Sequence, residues 1–215
     1  MSLWQRFIKR GFDLFFSLSG LIFLGWLILI CWLLASIDTR KNGIFTQERV
    51  GKNGRLFRIM KIRTMRPREG ITTVVTRRDD PRITQLGSVF RRFKLDELPQ
   101  LINVLLGQMS FVGPRPDVAS FADGLEGGDR IILSVRPGIT GPATLAFRYE
   151  EELLTKSNEP ELFNKNVIYP EKVRLNRQYV EEYSFAKDFL YIFATLLPGV
   201  FDWVVPPFEP KQGKV

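Results

Sequence analysis

Residues 14–35 read LFFSLSGLIFLGWLILICWLLA, an apolar run interrupted only by Ser17, Ser19, Gly20 and Gly25. As a straight helix it would measure roughly 33 Å, enough to cross a bilayer. It exceeds the roughly 7–15 apolar residues of a signal-peptide core, and no clear small-x-small cleavage site follows it. Arg6, Lys9 and Arg10 precede the run while Arg40 and Lys41 follow it, and positive residues stay cytoplasmic, so both flanks belong on one side. Such flanks favour a helix that enters the membrane, breaks at Gly20 or Gly25 and returns, over a simple span. Serine hydroxyls are at hand for the freed carbonyls.

Beyond this segment, the 215 residues suit one domain of ordinary core size with appendages. The expected divisions are a membrane segment over 1–40, a domain over 41–205 and a tail over 206–215 that reads as disordered. The net charge of +8 is unevenly spread, and residues 40–115 carry more positive charge than the chain as a whole. An anion belongs there. The single cysteine, Cys31, lies in the apolar run and excludes an internal disulfide.

Residues 47–65 read as a β-hairpin, with Lys52, Asn53 and Gly54 at the turn and 56–65 as the return strand. Alternation puts Phe57, Ile59, Lys61 and Arg63 on one face, where the two cations serve either a phosphate or headgroup, or simply a basic surface. Residues 66–83, with Gly70, Asp79, Asp80 and Pro81, read as a loop able to close over a ligand. Residues 86–93 form a short helix bearing Arg91 and Arg92. Near the end of the chain, Phe185, Phe189, Leu190, Ile192, Phe193, Leu196, Leu197, Val200, Phe201 and Trp203 recur at near-helical spacing. A core-packing helix accounts for that spacing, and an interfacial helix with its aromatic face in the headgroups is the competing reading; Pro198 divides it in two.

Chemistry concentrates in KLDELPQ, residues 94–100. With no histidine anywhere in the chain, catalysis falls to carboxylates, Lys/Arg, hydroxyls or a metal. An aspartate, with a reference pKa of about 3.9, attacks phosphorus without needing a base. Asp96 also suits the N-cap of a helix that runs through Leu101, Ile102, Val104 and Leu105 and stops at Gly107, and the two roles are compatible. Two rigid segments, FVGPRP (111–116) and VRPGITGP (135–142), hold Arg115 and Arg136 either for bidentate phosphate contact or as structural turns bonding backbone carbonyls.

The segments MKIRTM, RRFKLDELPQLINVLLGQMSFVGPRP and VRPGITGPA, in that order after a basic-flanked apolar N-terminus, resemble the bacterial sugar transferases, or monotopic phosphoglycosyl transferases. The resemblance covers about residues 1–205 and is to the small, catalytic-domain-only type. It implies an α+β fold: a mostly helical cytoplasmic domain with a small β-hairpin, an N-terminal re-entrant membrane helix and C-terminal amphipathic interfacial helices. It implies transfer of a sugar phosphate from a UDP-sugar to polyprenyl phosphate at the cytoplasmic face of the bacterial inner membrane, releasing UMP, through a covalent aspartyl-phosphosugar. Carried over by motif, Asp96 is the nucleophile and Glu97 its partner, with Mg2+ implied at the pair and Glu97 placed either at that ion or near the acceptor phosphate. Lys61, Arg63, Arg91, Arg115, Arg136 and Arg148 are implied substrate contacts, with Asp188 a further candidate. Two departures stand out. Gly25 and Trp26 occupy the place of a helix-breaking Ser-Pro pair, and Asn176 the place of a common aspartate.

Two other classes compete. A non-catalytic membrane scaffold would hold anionic lipids on the basic face, with Asp96 only capping a helix. A nucleic-acid binder is suggested by charge alone and lacks both an aromatic-basic RNA motif and a zinc-ligand set. The partners expected are therefore donor, lipid acceptor and membrane, without nucleic acid; oligomerisation leaves no signature in the sequence.

Overall fold

A computed structural model describes residues 1–68, 73, 76–122 and 124–210. Helix α1 runs from Leu3 to Thr39, opened by a capping box in which Ser2 Oγ accepts from Gln5 N while Gln5 Oε1 accepts from Ser2 N. It is continuous. The break expected at Gly20 or Gly25 is not there, because neither position has the proline that would remove a ladder hydrogen bond.

What α1 buries is a narrow stripe: Lys9, Asp13, Ser17, Cys31, Ala35 and Thr39, spaced by four within each half. The first half meets the domain through Lys9 and Asp13, and Gly20 lies against Leu101. The second half packs Cys31 and Ala35 with Ile62 and Phe90. Between and around these contacts Phe15, Ile22, Phe23, Trp26, Leu29, Leu33 and Ile37 are exposed. The helix is long and apolar enough to cross a membrane, yet both of its halves rest on the same domain.

After α1 come β1 (Ile44–Val50) and β2 (Leu56–Ile62), an antiparallel pair with Gln47 opposite Ile59. The turn over 52–54 uses Asn53 and Gly54 at φ 57° and 74°, a conformation asparagine and glycine tolerate. The hairpin starts earlier and ends earlier than its sequence pattern suggests. Past Ile62 an isolated bridge pairs Met65 with Ile83, and Arg66 N donates to Arg82 O, which closes the base of the 66–83 loop. Gly70 of that loop lies outside the described residues. Helix α2 (Gln85–Arg92) is capped by Thr84, whose hydroxyl accepts from Gly87 N.

Helix α3 (Gln100–Leu105) leads to β3 (Ser110–Val112), the short α4 (Ala119–Ala122) and β4 (Gly138–Thr140). Strands β3 and β4 pair in parallel, Val112 opposite Thr140. The two glycine-proline motifs need glycine for this contact: a Cβ on Gly138 would sit 2.1 Å from Gly113 N. The rest is helical: α5 (Pro142–Ala146), α6 (Glu150–Lys156), α7 (Pro160–Phe163), α8 (Tyr169–Glu181) and α9 (Phe185–Leu196). Leu145, Phe147, Leu154, Ile168, Tyr179 and Tyr191 form their core.

Helix α9 stops two residues before Pro198, and turns follow instead of a second helix. It buries Tyr191 and Ala194 and sets Phe185 and Phe189 against Phe12 of α1, which meets the core-packing reading. Its other side leaves Phe193 and Leu196 exposed, as are Val200 and Trp203 beyond it. Of the expected tail the described part, 206–210, is held on the domain, where Phe208 N donates to Ala146 O and the Phe208 ring stacks on Phe147, next to the core residue Val205; 211–215 lie outside the described residues.

Candidate active site

Asp96 lies in a single tight turn, Leu95–Glu97, wedged between α2 and α3. Lys94 starts the turn in the left-handed region at φ 57°. Glu97 N and Leu98 N donate back to the carbonyls of Lys94 and Leu95. Helix α3 then begins after Pro99 without a side-chain cap. Asp96 therefore caps nothing, which corrects the N-cap expectation: the intervening turn keeps its carboxylate off the first amides of α3. The residue is 7% exposed, and its Oδ1 is buried without any hydrogen-bond partner. A buried carboxylate oxygen left unpaired costs about 1–3 kcal/mol or more. An oxygen in that state has its bonding capacity open to a ligand.

Glu97 is the opposite case. Lys61 Nζ donates to its Oε1 at 2.9 Å and Arg115 Nη2 to the same oxygen at 3.2 Å. The fully buried Asn103 sets this alignment. Its Oδ1 accepts from Met60 N at 2.9 Å and its Nδ2 donates to Arg58 O at 2.8 Å, clamping α3 to β2 beside Lys61.

Electrostatics separates the two carboxyls. Burial and then the neighbouring Glu97 charge push Asp96 above its ordinary value, against the pull of Lys61, Arg91 and Lys94. Burial opposes ionisation of Glu97 as well, but Lys61, Arg115 and Lys94 outweigh it and hold this carboxyl far below its usual range. The pair therefore keeps its first negative charge on Glu97, and Asp96 is the carboxylate that ionises at a cost.

Of the residues singled out from sequence, the structure brings Lys61 and Arg115 to the dyad, and Arg91 acts on Asp96 through its charge while its Nη2 bonds Glu151. Four others do not join them. Arg63 donates to Asn42 O at 2.7 Å and lies over the Phe45 ring, because β2 has already ended at Ile62. Arg136 donates to Gly107 O at 2.7 Å, the structural-turn alternative. Arg148 is committed to Leu145 O, Asp202 Oδ1 and Val205 O. Asp188 accepts from Lys9 at 2.5 Å, from Tyr179 at 2.9 Å and from Tyr183 at 3.3 Å. Asn176 is buried with an unpaired Oδ1, so no charge occupies its position.

Sequence reading missed Lys94, Asn103 and Asp117. Lys94 adjoins the dyad and could have been found by adjacency. Nothing in the sequence marks Asn103, whose partners are backbone atoms far along the chain. Asp117, two residues past Arg115, is pushed up to about 6 by burial, against Lys172, Arg49 and Arg115.

No cluster of three or more His, Cys, Asp or Glu residues suited to a metal exists among the described residues. The dyad still suits a magnesium ion that takes most of its oxygens from phosphate and water. Asp96 Oδ1 is a hard donor with nothing bonded to it, whereas Glu97 Oε1 is already shared by two cations.

The site thus combines a buried carboxylate, unpaired at Oδ1, with cations around it, in a chain whose first helix is long and apolar enough to cross a membrane. The profile of the bacterial sugar transferase family matches residues 4–202, and the chain belongs to that family. It is 43% identical over 117 residues to a putative undecaprenyl-phosphate N-acetylgalactosaminyl 1-phosphate transferase of Bacillus subtilis, covering 54% of this chain and 65% of that one. It is 31% identical over 204 residues to the exopolysaccharide production protein ExoY of Sinorhizobium fredii, covering 87% and 83%. It is 34% identical over 203 residues to the UDP-glucose:undecaprenyl-phosphate glucose-1-phosphate transferase of Escherichia coli, covering 91% of this chain and 40% of that longer protein.

Proposed function

We propose that the chain transfers a sugar 1-phosphate from a UDP-sugar to a polyprenyl phosphate, undecaprenyl phosphate being the acceptor named for its relatives, and releases UMP. The observation that carries this reading is the buried Asp96 carboxylate, unpaired at Oδ1, beside a Glu97 held ionised by Lys61 and Arg115. In the first step an Asp96 oxygen attacks the sugar-bearing β-phosphorus. The P–O bond to UMP breaks and UMP departs with the electron pair, leaving an acyl phosphate that retains much of the donor's reactivity. In the second step an oxygen of the polyprenyl phosphate attacks the same phosphorus and expels the Asp96 carboxylate. Both nucleophiles are already anions, so a chain without histidine needs no general base.

Lys61, Arg91, Lys94 and Arg115 lower the repulsion between anionic nucleophile and anionic donor. Asp96 and Glu97 are the residues that would hold magnesium, which when bound supplies positive charge to the diphosphate oxygens.

We place the protein as monotopic on the cytoplasmic face of the inner membrane. Supporting this is the docking of both halves of α1 on one domain, since a spanning helix would carry one half away from it. The exposed apolar side of α1, with Phe193, Leu196 and Trp203, then lies in the lipid. With Ser2→Cys in right-side-out cells, a membrane-impermeant thiol reagent should leave the N-terminus unlabelled; labelling would overturn the placement. For the chemistry, intact-protein mass spectrometry with donor and no acceptor should show a phosphosugar adduct on wild-type protein. A scaffold would show no adduct and release no UMP from any UDP-sugar.

A further inference from the structure

At the end of α3 away from the dyad, four cations gather without an ion-pair partner. Arg10 donates to Val104 O at 2.7 Å and Leu105 O at 2.9 Å, and Arg136 donates to Gly107 O at 2.7 Å. A Cβ on Gly107 would lie 3.2 Å from Arg10 Nη2, so both guanidiniums stand at one residue. Arg6 precedes Arg10 by one helical turn on the same face. Lys52, at the hairpin turn, completes the group: burial, then the charges of Arg136 and Arg6, hold its ammonium below the usual value. None of the four forms an ion pair among the described residues. Asp13, the next charged residue along α1, accepts from Ser110 Oγ and Phe111 N and acts on Arg10 through its charge without forming an ion pair.

Bonding to the last carbonyls of α3 accounts for Arg10 and for one nitrogen of Arg136. Left without an acceptor among the described residues are Arg136 Nη1 and Nη2, Lys52 Nζ and the Arg6 guanidinium. Like charges held together this way destabilise a fold unless an anion joins them. Next to Arg6 in the chain, Phe7 is 73% exposed, and Leu106, between the accepting carbonyls of Leu105 and Gly107, is 61% exposed; the exposed Trp4 ring stacks on Phe7. Cations fringed by exposed apolar side chains match the two ends of a lipid, a charged headgroup and an acyl chain.

We propose that this corner binds the phosphate of an anionic bilayer phospholipid, whose acyl chains run along Trp4, Phe7 and Leu106. The occupant is not the acceptor poised for reaction. Between the dyad and Gly107 runs α3, whose six residues alone span roughly 9 Å, which puts a phosphate here beyond reach of Asp96. A bound phospholipid would fix the height of the domain against the membrane, through the hairpin turn and the start of α1 together.

The proposal rests on the membrane placement above and not on the transfer chemistry. Its test is native mass spectrometry of the full chain in detergent micelles, titrated with phosphatidylglycerol, phosphatidylcholine or inorganic phosphate. Wild-type protein should retain phosphatidylglycerol over phosphatidylcholine. The double variant Arg6→Gln with Lys52→Gln should lose that preference by about fivefold per cation removed. The charge-keeping pair Arg6→Lys with Lys52→Arg should retain it. Helix content and UMP release, followed in parallel, should stay at wild-type levels, which separates this claim from the catalytic one. Equal retention of both lipids by wild type, or undiminished preference in the double variant, overturns the proposal. Displacement of phosphatidylglycerol by equimolar inorganic phosphate overturns the lipid as the source.

Discussion

Asp96 and Asp188 are both buried aspartates, 7% and 2% exposed, and both stand near cations. The difference lies in what their oxygens do. Asp188 accepts from Lys9, Tyr179 and Tyr183, and through Lys9 it ties the start of α1 to α8 and α9. Asp96 leaves Oδ1 without a donor although four cations influence or adjoin it. Burial pushes both carboxyls up. Only at Asp188 do hydrogen bonds from its own neighbours answer that push, and a carboxylate whose bonds are all made locally has none to offer a substrate.

The sharpest way to break this contrast is Asp96→Asn. It should lower UMP release by at least about 1,000-fold and abolish the adduct, since an amide cannot take the nucleophile's place. Stability should move the other way. Asp96 is raised in the folded state, so its contribution is most favourable below the unfolded value of about 3.8 and is lost as pH rises through the folded one. The neutral asparagine should therefore unfold at the same or a higher temperature at pH 7. Full activity in this variant would end the nucleophile assignment.

Asp188→Asn tests the other side. It strands Lys9 in a buried site and should destabilise the protein by about 3–5 kcal/mol, read as a lower melting temperature in detergent. Turnover per folded molecule should hold. A loss of chemistry with unchanged melting would move Asp188 into the site.

Two adjacent carboxylates in a basic region are conspicuous in the sequence, whereas alternation set Lys61 beside Phe57 and Ile59 and left open whether it meets a phosphate or a basic surface; the structure puts it on Glu97. The sequence could not separate the arginines. Arg115 and Arg136 sit in similar Gly-Pro settings, and what sends one to Glu97 and the other to Gly107 O is the parallel pairing of β3 with β4, a contact distant in the chain. Arg148 was equally ambiguous, since Asp202 and Val205 reach it from the far end of the domain. The run of α1 was legible, but not its continuity. Glycine alone does not break a helix whose two halves are each held by packing.

Within the dyad a smaller effect is expected from Glu97→Gln. The substitution keeps the shape but removes the charge that Lys61 and Arg115 neutralise, so those cations are left unbalanced beside Asp96. UMP release should fall roughly 10- to 100-fold, a loss typical of groups that support a reacting centre without being attacked. Donor binding should persist, so the adduct should still form on long incubation. A loss equal to that of Asp96→Asn would make the two carboxylates one unit.

The finest test is the acidic limb of the pH profile. The proposed mechanism needs Asp96 ionised, and because burial and Glu97 raise its pKa, kcat/KM should begin to fall on acidification at a pH above the ordinary aspartate value of about 3.9. Lys61 opposes that rise, both directly and by neutralising Glu97. Lys61→Met should therefore move the limb to higher pH while the rate at alkaline pH changes less. At Asp188 the corresponding lysine is Lys9, and Lys9→Met should leave the limb in place and lower the melting temperature instead. If both lysine variants shifted the limb alike, the distinction between a carboxylate kept free for a ligand and one consumed by the fold would fail.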